Sequence, residues 1–199
     1  MNPLLRRLAG GTLLSDGRAN EVADAVLKSP RLLPRLLEGL ADPDAVVRGR
    51  TAHALERISR SRPEWLRPSL DVFLEAAGRD SVPMVKWHLA MLLGALAGSE
   101  EEARRVLPAL YVFIQEPEGV FVRSWAIVSL CRIGCSYALL RPQIVQRLSP
   151  LVRDPRPSIR VKAEKALACL SEGAALPAGW VKSGKPPVTS RPDKRQRSR

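Results

Sequence analysis

The chain has 199 residues, 45% of them apolar and only 5% aromatic, and carries a formal charge of +12. This is enough apolar material for one continuous core, and the lack of any run near about 18 uninterrupted apolar residues excludes a membrane-spanning helix. Three cysteines, Cys131, Cys135 and Cys169, are too few and odd in number for a disulfide scaffold, and two thiols four apart make a poor zinc signature.

In chain order, Gly17 to Leu27 reads as a helix without a well-defined partner, with Leu4, Leu5, Leu8, Leu13 and Leu14 supplying that partner or an irregular cap. Gly10-Gly11 and Asp16-Gly17 read as turns. Residues 1–29 are therefore expected to be a capping or partial unit. From residue 30 a repeat takes over. Arg48, Lys86, Arg123 and Arg160, each preceded by Val or Ile, lie 38, 37 and 37 positions apart. Counting from each, the third position holds Thr51, Leu89, Ala126 and Ala163, the seventh Leu55, Leu93, Leu130 and Leu167, and the tenth Ile58, Leu96, Ile133 and Leu170. Steps of three and four place these on one side of a helix. A period near 37 marks short helical units that bury their apolar faces only by stacking.

Another helix precedes each of these, in the runs opening at Pro34, Pro68, Pro108 and Pro142. Proline suits a first turn because its missing N–H leaves no bond unmade, though it can also interrupt a helix begun earlier. Between the two helices of a unit lie Asp42-Pro43-Asp44, Asp80-Ser81, Glu116-Pro117-Glu118 and Asp154-Pro155, whose acids can cap orphan N–H groups. In three units an Asp stands six residues before the basic residue, pairing Asp42 with Arg48, Asp80 with Lys86 and Asp154 with Arg160; Pro117 stands there before Arg123. Residues 172–181 leave the pattern, Trp180 being placed to cap the final helix. Residues 182–199 read as a basic disordered tail, in which Lys182, Lys185, Arg191, Lys194, Arg195, Arg197 and Arg199 stand against one Asp and supply +6 of the net charge.

Paired helices, a turn Asp and a Val-Arg dipeptide opening the second helix resemble the HEAT-repeat family of the armadillo-type class. The resemblance spans residues 30–171 and implies an all-α, right-handed α-α superhelix of about four repeats plus a partial N-terminal unit. It also implies a structural ladder in which turn acids and basic residues, here Asp42, Arg48, Asp80, Lys86, Arg123, Asp154 and Arg160, join neighbouring units. Finally, it places the second helices on the inner, concave wall.

Two positions beyond each ladder residue stand Arg50, His88, Trp125 and Lys162, with Arg57, Arg132 and Lys165 farther along, and these seven are expected to line a basic groove. His53 and Trp87 are better assigned to packing, and Trp65 to a junction. No phosphate-binding loop, two-histidine metal motif or nucleophile–base pair stands out, so the chain is expected to be non-catalytic, without cofactor or metal. The leading expectation is a cytoplasmic scaffold for a protein partner, the N-terminus lacking a convincing export signal. The alternative is a DNA- or RNA-binding repeat protein using groove and tail. A third reading rests on a resemblance to alkylpurine DNA glycosylases built from helical repeats, implying Trp87 or Trp125 as the aromatic; no residue matches that family's catalytic acid, and Glu164, the one groove acid on offer, reads first as a solvated partner of Lys165.

Overall fold

The computed structural model describes residues 2–117, 119–172 and 176–182; Glu118 and the tail from Lys185 onward lie outside the described residues. The described chain is helical, without a strand. The helices are α1 (Pro3–Arg6), α2 (Ala19–Lys28), α3 (Leu33–Leu37), α4 (Ala45–Ser59), α5 (Pro63–Leu66), α6 (Leu70–Arg79), α7 (Pro83–Leu96), α8 (Glu100–Phe113), α9 (Val120–Ser136), α10 (Arg141–Leu148) and α11 (Pro157–Glu172). The second helices α2, α4, α7, α9 and α11 pack in that order as a spine, and α3, α6, α8 and α10 cover one side of it.

The repeated ladder is the glue of this spine. Leu55, Leu93 and Leu130 are fully enclosed, as are Thr51, Leu89, Ala126 and Ala163, while Leu167 on the last helix is half-buried against the same core. One helix pair approaches closely at Gly94, where a Cβ would fall inside Ser129 of α9, whose hydroxyl donates to Ala90 O at 2.7 Å. Only a residue without a side chain lets α7 and α9 meet there.

The first helices are less regular. Pro34 and Pro142 stand in first turns, but Pro108 lies inside α8, which begins at Glu100 under a reciprocal cap from Ser99 and Glu102. That cap satisfies two orphan N–H groups and starts the helix two turns before the proline. At the N-terminus, α1 and the buried Leu4, Leu5 and Leu8 close the end of the spine, with Leu13 half-buried and Leu14 exposed.

Candidate functional site

Along the unit boundaries the basic residues reach forward by one unit. Arg48 Nε meets Asp80 Oδ2 at 2.6 Å, Lys86 meets Glu116, and Arg123 meets Asp154. The pairing six residues apart within a unit is therefore corrected. Side chains there do not meet; instead Arg48 Nη1 donates to the carbonyls of Asp42 and Pro43, and Arg160 Nη1 to those of Asp154 and Pro155. Arg48 thus stitches its own turn through backbone carbonyls and the next unit through a carboxylate, while Arg160 holds its own turn. Glu116 fills the acid role beside Pro117, and it serves Lys86. Arg123 donates to Ile114 O at 2.8 Å in place of a turn carbonyl.

The seven expected groove residues separate into two groups. Arg50 is 4% exposed and does not face a groove: its guanidinium donates to the carbonyls of Leu8 at 2.7 Å, Gly10 at 2.6 Å, and Thr12 and Ser15 at 3.2 Å. It nails the N-terminal loop to α4. Gly17, at φ +51°, passes so close that a Cβ would strike this guanidinium, which explains a glycine where the Asp16-Gly17 turn was expected. Arg57, half-buried, donates to Asp24 of α2 at 3.1 Å.

His88 is likewise corrected from groove to core. It is buried, its Nδ1 lies 2.8 Å from Met84 O, and its Nε2 accepts from Trp87 Nε1 at 3.1 Å. With Nε2 accepting, the proton sits on Nδ1 and the ring is neutral. Burial, reinforced by His53 stacked at 4.8 Å, lowers its pKa to about 3. His53 is also pushed down by burial, and its Nδ1 approaches Asp16 at 3.3 Å without a hydrogen bond.

Trp125, Arg132, Lys162 and Lys165 remain on the open side of α9 and α11. Trp125 is half-buried, with Lys162 Nζ 5.5 Å and Lys182 Nζ 5.0 Å from its ring centre. Burial lowers the pKa of Lys162, as does the neighbouring charge of Lys165. Burial does the same to the half-buried Arg132. Among the described residues no ion pair reaches Arg132, Lys162 or Lys165. A cavity of about 140 Å³ opens between α4, α7 and α9, lined by Glu56, Arg60, Met91, Trp125, Arg132 and Trp180 among others. Its one carboxylate, Glu56, is 3% exposed and bound by Arg60, whereas Glu164 is exposed on α11.

Three features of this face escape the periodic pattern. Phe121 is 64% exposed and packs on Trp87 at 5.2 Å, extending the aromatic surface from α9 to α7. Trp180 returns onto the second helices, its ring 5.7 Å from Lys162 Nζ. Lys182, counted with the tail, lies on Trp125. Phe121 is visible in the sequence only as an aromatic outside the apolar ladder, and Trp180 only as a cap for the final helix. Cys131 is enclosed and donates to Ala166 O at 3.6 Å, burial pushing its thiol up. Among the described residues no cluster of His, Cys, Asp or Glu has a metal-holding arrangement, and no helix is long and apolar enough to cross a membrane.

The sequence profile described as HEAT repeats matches residues 33–131. No curated protein matches the chain.

Proposed function

We propose that this chain, which belongs to the HEAT-repeat family, is a non-catalytic scaffold that receives a protein partner on the open face of its second helices. One observation carries the reading: the exposed Phe121 packs at a tilt on the half-buried Trp87, and Trp125 follows one turn along α9 on a face whose Arg132, Lys162 and Lys165 have no carboxylate partner among the described residues. Large rings exclude water over a wide area at small entropic cost, which is why aromatic residues anchor interfaces. Unpaired cations around such an anchor favour an acidic partner and speed its approach. The reading places the scaffold in the cytoplasm, a compartment that suits three cysteines in the reduced state.

A nucleic-acid partner is the second reading, supported by Trp125 among Arg132, Lys162 and Lys165. Against it, Arg50 and Arg57 are spent on internal contacts, so the row of cations available to track phosphates is shorter than the sequence suggests. Affinity capture with purified chain, repeated with Phe121→Ala and Trp125→Ala, tests the protein reading. One saturable partner retained by the parent and lost by both variants is expected; capture indifferent to both variants contradicts it. Anisotropy with single-stranded and duplex oligonucleotides at several salt concentrations tests the second reading. It requires a steep salt dependence that weakens when Arg132, Lys162 and Lys165 are changed to Ala.

A further inference from the structure

The segment from Leu176 to Lys182 is the least explained part of the described chain, because a helical stack has no need for it to turn back. Trp180 N–H donates to Pro177 O at 3.1 Å, and Gly179 takes φ +83°. This is a tight turn whose third residue demands the left-handed region, so Pro177-Ala178-Gly179-Trp180 is written to reverse the chain. The reversal delivers Leu176 and Trp180, both half-buried, against the apolar core. Trp180 walls the cavity beside Trp125 and a second hollow beside Pro157, Val161, Lys162 and Lys165.

The seat suits the ring and not the charge. Lys182 arrives where Lys162 already stands near Trp125, and Arg132 lines the adjoining cavity, whose Arg60 is already paired with Glu56. Residues 176–182 contain no acid to answer them. Glu56 cannot do so freely, being held by Arg60 at 2.9 Å. The segment therefore has good aromatic complementarity and poor electrostatic complementarity, the arrangement of an occupant that can be displaced.

We infer that the cleft around Trp125 is a docking site for an extended acidic peptide segment carrying a tryptophan, and that residues 176–182 fill it when no partner is present. The inference rests on the reading that the second-helix face receives a protein. The incoming tryptophan takes the position of Trp180, and its flanking carboxylates meet Arg132, Lys162 and Lys165. The resident segment taxes that binding: docked nine-tenths of the time, it weakens the apparent affinity about tenfold.

The test uses the full chain and two labelled synthetic peptides, one with the sequence of residues 176–185 and the other carrying Lys182→Glu and Lys185→Glu. Anisotropy should show the acidic peptide binding more tightly than the parent-sequence peptide. Trp180→Ala in the full chain should tighten the acidic peptide about tenfold, and Trp125→Ala added to it should abolish the gain. Gly179→Val should reproduce the tightening, because it spoils the turn while a Cβ there meets nothing within 4 Å. Unchanged thermal melting shows that each variant is folded. Equal affinity of the acidic peptide for parent, Trp180→Ala and Gly179→Val chains overturns the inference, as does tightening seen with an oligothymidylate but not with the peptide. Peptide failure combined with partner capture that still depends on Phe121 overturns the docking assignment alone; loss of that dependence overturns the scaffold reading beneath it.

Discussion

Arg50 and Arg132 lie on second helices of the same spine, yet one is a rivet and the other faces a cavity. The difference comes from what each meets. Arg50 finds a loop whose carbonyls have no helical partners and supplies donors to four of them within 3.2 Å. Arg50→Met should therefore cost about 2–4 kcal/mol of stability in urea unfolding, since one buried and three partly buried hydrogen bonds from a charged donor are lost at once. Unchanged stability would mean that the loop does not depend on this side chain. His88 gives a test by pH. An unfolded chain protonates it near 6.5, whereas the folded chain keeps it neutral down to about 3. Lowering the pH therefore loads protons onto the unfolded state first. The stabilisation it allows is complete above pH 6.5 and is lost progressively as pH falls toward 3. The slope approaches about 1.4 kcal/mol per pH unit for one histidine, and His53 acts in the same direction. His88→Gln should remove roughly one proton's share of that slope, checked by unfolding at pH 7 and pH 5. An unaltered slope would assign the acid sensitivity elsewhere.

Helix pairs differ in how they spend charge. Arg48 meets Asp80 across a unit boundary where the Asp side chain is 2% exposed, while Arg105 meets Asp71 between first helices, where the Asp side chain is 86% exposed. Arg48→Ala strands a buried carboxylate and should cost about 1–3 kcal/mol. Arg105→Ala breaks a solvated pair and should cost under about 0.5 kcal/mol. Equal losses in denaturant titrations would contradict the ladder's structural role. Gly94→Ala should cost about 1–3 kcal/mol, because the methyl group has to displace Ser129 and part α7 from α9. Much of this level is legible in the sequence. The 37-residue period located the second helices and their buried ladder, because stacking leaves a strict apolar signature at three- and four-residue steps. The family resemblance implied that the ladder joins neighbouring units, but which acid each basic residue takes was not legible. Sequence spacing shows the acid nearest in the chain, while the partner nearest in space sits one unit onward. Arg50 and His88 were misplaced for a related reason: their register position matches that of Trp125, but the loop over Arg50 and the His53–Trp87 environment around His88 are not periodic. Nor does α8 begin where its proline suggests, since the cap at Ser99 outweighs the signal of Pro108.

At the scale of the whole chain, a spine of second helices leaves one long face on which aromatic rings and cations gather at the later units. The early units contribute less, because Arg50 and Arg57 are tied to the N-terminal cap. This asymmetry makes the face directional: a partner should centre on α7, α9 and α11 and not run evenly along the stack. Photo-crosslinking compares two matched positions directly. Phe121 on α9 and Val112 on α8 are 64% and 62% exposed, but they belong to the second- and first-helix layers respectively. With a photoreactive phenylalanine placed at one or the other in the full chain, one discrete, saturable protein adduct is expected from position 121 and none from position 112. Adducts from position 112 alone, or equally from both, would contradict the assignment of the second-helix face as the docking surface.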